Sequence, residues 1–444
     1  MTGSRRPPLP PGPYLVVGLA RSGAAAMRML RSRGEVLGLD SGDPPQAAAL
    51  RDEGFEVHLR TPGVDLLERA GTVVKSPGVP RTAPVVLKAA GRGIGAIGEL
   101  ELAWRLLPNE FVALTGTNGK TTTAELLGAI HRAAGEPVAV AGNVGTPLAT
   151  LVGELPPTTT VICEASSFQL EDSEAFAPEA AVLLNLREDH LDRHGTVEAY
   201  RAAKLRAFAN QGPDDVAVAP LELVRGGDLP GQARRVLFGP PGSDVEEVGG
   251  MLSWRGEVLL PVSGIRLRGA HNHENAMAAA AAALARGIGG DAVRDALRTF
   301  AGVPHRLEEV AERGGVLYVN DSKATNVDSA TVGIRAFERG VHAILGGSLK
   351  GGGFQALREA AAERCVACYL IGEASRELAR DLDGTVPLHP VGDLERAVRT
   401  AAAAARPGQV VLLSPACASY DQYRDFEERG EHFRRLVREL ASGE

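Results

Sequence analysis

The stretch Thr115-Gly-Thr-Asn-Gly-Lys-Thr-Thr-Thr123 has the residue types and spacing to hold the phosphates of a nucleotide. Glycines at 116 and 119 let the backbone turn its N–H groups toward an anion, and a following helix adds the positive end of its dipole. In such a loop Lys120 reaches the outer phosphates, and a threonine hydroxyl, Thr121 first, is placed to hold Mg²⁺. A full Walker pattern needs a glycine near position 114, where Leu114 stands, so this loop is a shortened one. An ordinary glycine turn is the plain alternative. The apolar run Phe111–Leu114 before the loop and the helical pattern Ala124–Ala134 after it favour phosphate binding.

Candidate metal ligands come later in the chain. Glu164 closes an apolar run, and Glu188-Asp-His190 follows Asn185 at the end of another. Ligands at strand C-termini beside a phosphate loop suit a Mg²⁺–nucleotide site. Taken singly, Glu164 also fits a helix-start acid and His190 a capped loop histidine, a residue type that favours Zn²⁺. Only six of the 48 basic residues are lysines: 75, 88, 120, 204, 323 and 350. In so arginine-rich a chain, a lysine marks a place where arginine cannot substitute. Lys120, Lys323 and Lys350 lie in the polar turns TNGK, NDSK and GGSLKGG, where a compact ammonium can follow a moving phosphate or carboxylate. Lys204 stands among arginines on a helix, and a stray surface lysine is its alternative.

These residues need elements to position them. Tyr14–Gly18, Ala24–Ser32 and Glu35–Asp40 read as strand, helix and strand, joined by the turn Gly18-Leu-Ala-Arg-Ser-Gly23. Acidic residues placed like Asp40 meet a ribose or base in dinucleotide folds. Further strands are expected at Thr72–Lys75 (running into Ser76-Pro-Gly78), Thr160–Glu164 and Ala181–Asn185, with an alanine-rich helix after His271. The last part alternates strands (Val316–Asn320, His342–Leu345, Cys368–Ile371, Gln409–Ser414) with helices, a doubly wound pattern. Residues 212–264 show short β-like pieces without legible chemistry. At 444 residues the chain predicts about three domains. A hydrophobic content of 44%, charged content of 23% and net charge of −7 describe a soluble globular protein, not one built for nucleic acid or an anionic membrane. No apolar run is long enough to span a membrane, and Arg5 and Arg6 lead into prolines, not a signal peptide's apolar core. Four cysteines make no disulfide framework, and Cys365-Val-Ala-Cys368 reads as a pair of buried thiols, so a cytoplasmic protein is expected.

Ten motifs in order resemble those of bacterial Mur ligases. They are TGTNGKTT, Gly142-Asn-Val-Gly145, EASSFQL, LNLREDHLDRH, YRAAK, His271-Asn-His-Glu-Asn275, Val303-Pro-His-Arg306, NDSKATN, GGSLKGG and SPACASYDQYRDFEERG. The likeness runs from Gly18 to about Gly430 and is nearest the branch that adds D-glutamate; the Asp-Asn-Pro-Arg string of the diamino-acid branch is absent. The resemblance implies an α/β fold of three domains: a Rossmann-like UDP-substrate domain (1–108), a central P-loop-type ATPase domain with a mostly parallel sheet (109–300), and a Rossmann-like amino-acid domain (301–444). It implies an ATP-dependent amide ligase working through an acyl phosphate in cell-wall precursor synthesis, with domains closing to keep water out.

What it implies for individual residues is specific. UDP-N-acetylmuramoyl-L-alanine would meet Arg21, Ser22, Asp40, Ser41, Ser76, Asn143 and Gln169. ATP would lie on Thr115, Gly116, Thr117, Asn118, Gly119, Lys120, Thr121 and Thr122, with Asn275, Arg306 and Asp321 beside it. Lys323 would approach the γ-phosphate and acyl phosphate. Thr121 and Glu164 would serve one Mg²⁺, and His190 a second. The lysine matching Lys204 is carbamylated in this family, which makes it an oxygen ligand and catalytic alongside Lys120, His190 and Lys323. D-Glutamate would lie near Thr325, Lys350, Ser419, Tyr420 and Phe426. A monomer is expected. Three positions depart from the pattern: Arg21, which could add a diphosphate contact; Ser348-Leu349, where Asp-Gly is frequent; and Tyr420, where leucine is common. A folylpolyglutamate synthase-like ligase or a nucleotide-sensing protein without turnover are the other readings. A dinucleotide oxidoreductase explains the Gly18 turn and nothing else.

Overall fold

The computed structural model describes residues 6–225, 229–349 and 353–440, and three sheets carry the chain. Short apolar strands buried on both faces alternate with helices, the arrangement that favours parallel pairing. By packing, the chain forms two compact units: residues 6–266 with 271–300, and 267–270 with 301–440. The first unit holds two of the sheets.

Its first sheet has β1 (Tyr14–Val17), β2 (Val36–Asp40), β3 (Glu56–Leu59), β4 (Thr72–Lys75) and β5 (Gly95–Gly98), all parallel in the order 3-2-1-4-5. Val17 pairs with both Leu39 and Lys75, so the turns after β1, β2 and β4 emerge side by side. The helix after β1 begins at Arg21, three residues earlier than the pattern predicts, because Gly18 turns at φ +85°. A Cβ on Gly23 would stand 1.8 Å from the Gly18 carbonyl oxygen, so this glycine lets the helix close against the turn.

The second sheet contains β6 (Phe111–Thr115), β7 (Val138–Gly142), β8 (Thr160–Glu164), β9 (Ala180–Leu183), β10 (Val216–Pro220), β11 (Arg234–Gly239), β12 (Val245–Val248), β13 (Met251–Trp254) and β14 (Glu257–Pro261), in the order 14-13-12-11-10-9-6-8-7. The β-like pieces of 212–264 thus become one flank of this sheet, ending in an antiparallel meander. At the centre, Leu114 pairs with Glu164 and with Val182. That register brings the phosphate loop, Glu164 and the Asn185 segment to one edge. Trp104 and Phe111 meet Phe176 edge-on, with ring centres 5.6 and 6.4 Å apart, in the core behind it.

The second unit carries β15 (Glu308–Arg313), β16 (Val316–Asn320), β17 (Val341–Gly346), β18 (Cys365–Ile371), β19 (Leu388–Gly392) and β20 (Val410–Leu413), ordered 15-16-20-17-18-19 with only β15 antiparallel. Leu413 pairs with Asn320 and Ile344, which aligns the turns at 321, 347 and 414. Of the cysteine pair, Cys368 is buried but Cys365, at the start of β18, is only half-buried.

Candidate active site

In the phosphate loop the backbone is fixed by side chains from neighbouring strands. Asn185, just past β9, accepts from the Asn118 N–H at 2.9 Å and donates to the Asn118 carbonyl at 3.2 Å. The Thr117 hydroxyl lies 3.0 Å from that of Tyr200. Gly119 adopts φ +85°, and a Cβ there would strike the Asn275 side-chain oxygen at 2.2 Å. Asn275, on the helix Ala270–Ala285, is buried against the loop. The loop helix starts at Lys120, so Thr121 and Thr122 stand in its first turn, and Thr115 is buried at the end of β6. Lys120 Nζ donates to the carbonyls of Gly116 and Thr117, both at 2.9 Å, and so lies across its own loop.

Glu164 connects this loop to a second feature. Its carboxylate is 3% exposed, accepting from Thr121 Oγ1 at 2.8 Å and from Asn143 Nδ2 at 3.1 Å. Asn143 belongs to a cavity of about 780 Å³. All seven residues expected around the UDP substrate line it: Arg21, Ser22, Asp40, Ser41, Ser76, Asn143 and Gln169. Several of their polar groups shape the walls. Asp40 accepts from the N–H groups of Leu19 (2.7 Å) and Gly42 (2.8 Å), and Ser76 Oγ donates to the Gly18 carbonyl at 2.6 Å. Gln169 completes a capping box with Ser166. Arg21 donates to the Gly145 carbonyl, tying the first-sheet turn to the segment after β7.

Lys204 is not a surface lysine. On the helix Val197–Ala209 it is 2% exposed, its Nζ donating to the Gly116 carbonyl at 2.8 Å and lying 4.5 Å from the centre of the Tyr200 ring. Among the described residues no carboxylate forms an ion pair with it. Burial first, and then the Lys120 ammonium, push its pKa down to about 7, against the pull of Asp189 and Glu164. His190 sits at φ +52°, half exposed, its ring 4.8 Å from that of Phe168 and Nε2 3.4 Å from Asp189. Among the described residues no three His, Cys, Asp or Glu side chains gather into a metal cage. The touching oxygens of Thr121 and Glu164 nevertheless suit Mg²⁺, which takes most of its ligands from phosphates and water.

The second unit groups its own candidates. Asp321 has no exposed surface: it accepts from Leu307 N–H (3.2 Å), Ser414 Oγ (2.8 Å) and Arg306 (3.4 Å). Burial pushes its carboxyl up while Arg306 and Ser414 hold it down. So enclosed, Asp321 holds the Arg306 guanidinium through one carboxylate oxygen. The Lys323 N–H donates to the His305 carbonyl, and the Thr325 N–H to that of Lys323. Phe426 opens the helix Phe426–Glu439, its carbonyl accepting from Ser322 Oγ and its ring edge-on to His305. Ser419 is buried and Tyr420 is 74% exposed. Lys350 lies outside the described residues.

Comparison with known proteins places this arrangement. The Mur ligase middle domain model matches residues 114–235, and the Mur ligase glutamate ligase domain model matches 305–417. The UDP-N-acetylmuramoylalanine–D-glutamate ligase of Acidobacterium capsulatum is 43% identical, covering 95% of each chain. Its namesake from Anaeromyxobacter dehalogenans is 45% identical over 96% of this chain and 97% of its own. The chain belongs to the Mur ligase family. Among solved Mur ligases, the UDP-N-acetylmuramate-alanine ligase of Thermotoga maritima has the same fold at 20% identity, with a TM-score of 0.59 over 97% of this chain and 99% of that one.

In this Mur ligase family member, four residues beside these candidates escaped the sequence reading, two in each unit. Asn185 braces the loop, Tyr200 lies under Lys204, and His305 shares the Asn320 and Phe426 cluster. The fourth, Arg429, is 1% exposed and donates to Ser322 and to the carbonyls of Gly346, Cys417 and Ala418. Burial lowers its pKa to about 10, against the opposing pull of Cys417, Asp421 and Tyr423. A signal was available: Arg429 precedes the buried Phe433 and Leu436 at helical spacing, an arginine on an apolar face.

Proposed function

We propose that this chain is an ATP-dependent ligase that joins D-glutamate to UDP-N-acetylmuramoyl-L-alanine through an acyl phosphate. It would act as a cytoplasmic monomer in peptidoglycan precursor synthesis. The observation that carries the proposal is the Glu164 carboxylate, bonded on one side to Thr121 of the phosphate loop and on the other to Asn143 of the large cavity. Nucleotide site and acceptor cavity share that wall. The choice of D-glutamate is taken from the near full-length relatives.

The UDP substrate occupies the cavity, with its terminal carboxylate toward Asn143. A carboxylate is a poor electrophile, so its oxygen first attacks the γ-phosphorus of ATP and ADP departs. Lys120 and Lys323 neutralise charge on the transferring group, while Asn275 and Arg306, the latter bonded to Asp321, hold the nucleotide. Thr121 and Glu164 would hold one Mg²⁺, and His190 and carbamylated Lys204 would serve a second, which when bound would add charge neutralisation. Lys204 is prepared for that modification: with a pKa near 7 its amine is largely neutral at pH 8 and adds CO₂, losing a proton. The neutral amine of D-glutamate, bound near Thr325, Lys350, Ser419, Tyr420 and Phe426, then attacks the acyl carbon. Phosphate leaves with the original carboxylate oxygen, and an amide remains. Labelling the substrate carboxylate with ¹⁸O tests this sequence. One labelled oxygen per released phosphate is expected; unlabelled phosphate would exclude the acyl phosphate.

A further inference from the structure

The proposed chemistry gives no role to a buried charge cluster that joins the cavity wall to the His190 segment. Lys75 ends β4 with its side chain fully enclosed, Nζ 2.7 Å from Asp172 and 3.6 Å from Glu171. It also donates to the Val79 carbonyl at 2.7 Å. Arg193, on the short helix Leu191–His194, reaches the same carbonyl from the other side at 2.9 Å. Its guanidinium further donates to the Pro77 carbonyl at 3.3 Å and to Glu171 at 2.6 Å. The Ser76–Pro80 turn it grips lines the large cavity, and Glu171 lies two residues past Gln169, which lines it too.

The other face of Arg193 looks toward the candidate metal ligand. Its guanidinium carbon lies 4.8 Å from the centre of the Phe168 ring. The same ring sits 4.8 Å from that of His190 and 5.4 Å from that of His194, which meets Ser167 Oγ at 3.0 Å. One guanidinium therefore spans two cavity carbonyls, a carboxylate and the aromatic ring that backs His190. All three oxygens are met by the single nitrogen Nη2, which a lysine ammonium could imitate, but a lysine lacks the flat face that lies against Phe168.

We propose that Arg193 is a positioning residue that locks the Ser76–Pro80 wall of the substrate cavity to the segment carrying His190, so that filling the cavity sets the His190 imidazole. The inference rests on reading the cavity as the UDP-substrate site and His190 as a nucleotide-metal ligand. It goes beyond that reading in making the two sites communicate through a side chain that touches neither substrate nor metal.

The test uses full-length Arg193→Met and Arg193→Lys, with UDP-N-acetylmuramoyl-L-alanine binding followed by calorimetry and ATP binding as a control on folding. Histidine ¹⁵N resonances are followed in parallel, that of His190 being identified by its loss in His190→Gln. In wild type, adding the UDP substrate should shift the His190 resonance. Arg193→Met should weaken UDP-substrate binding tenfold or more, keep ATP affinity within twofold, and abolish the shift; Arg193→Lys should restore part of the affinity and little of the shift. A His190 shift that persists in Arg193→Met overturns the proposal. So does an equal loss of both ligands with a lowered melting temperature, which is mere structural damage. A wild type that does not bind the UDP substrate refutes the cavity reading itself, and the inference with it.

Discussion

Lys204 combines burial, a like charge close by and a carbonyl as its hydrogen-bond acceptor, a setting that disfavours an ammonium. Its folded pKa, about 7, lies below the ordinary lysine value, so between about pH 7 and the unfolded pKa the unfolded chain binds the extra proton. Stability from this group therefore rises with pH across that window. The same neutral amine makes carbamylation pH-dependent: bicarbonate should raise the rate above about pH 7 and do little below it. Lys204→Ala should bind ATP yet lose about a hundredfold or more in turnover, an effect of about 2.7 kcal/mol, with partial rescue by formate or acetate. Lys204→Arg should show neither turnover nor rescue, and full activity in Lys204→Ala would remove the carbamate from the mechanism. The family resemblance, more than the rarity of lysine, singled this residue out in the sequence. Its burial was not legible, because arginines surround it and its packing against Gly116 comes from the tertiary fold.

The phosphate loop and the last helix show how an element constrains its residues. Gly119 is fixed twice, by a left-handed backbone and by Asn275 behind it. Gly119→Ala adds about 1–2 kcal/mol of backbone strain and a clash that displaces Asn275. ATP affinity should fall about tenfold or more by direct titration, while UDP-substrate binding holds. In the helix Phe426–Glu439, Arg429 satisfies the carbonyls of Ser322, Gly346 and the adjacent Cys417 and Ala418, in three separate segments. Arg429→Met leaves buried acceptors unpaired and should cost about 3 kcal/mol or more, read as a lower denaturation midpoint; an unchanged midpoint would contradict that role. Strands such as Thr72–Lys75, Thr160–Glu164 and Val316–Asn320 could be read to the residue, because apolar runs bounded by turn residues leave little choice. Helix starts could not. Positive-φ glycines at 18 and 119 begin the helices early, drawing Arg21, Lys120 and Thr121 into their first turns.

The chain as a whole builds its site from segments far apart in sequence. One cavity collects turns from the first sheet and loops from the second, and Glu164 then links it to the nucleotide loop. The family resemblance named seven residues that line that cavity: Arg21, Ser22, Asp40, Ser41, Ser76, Asn143 and Gln169. It could not foretell that Asp40 and Ser76 spend their polar atoms on its walls, or that Asp321 is sealed behind Arg306, since burial depends on what packs from elsewhere. The most direct test of the proposed ligase is amino-acid-dependent phosphate release from ATP and Mg²⁺ with UDP-N-acetylmuramoyl-L-alanine. D-Glutamate should be compared with L-glutamate, L-alanine and meso-diaminopimelate. Release with D-glutamate alone is predicted. Release with a different amino acid, or with none of them despite ATP binding, would contradict it.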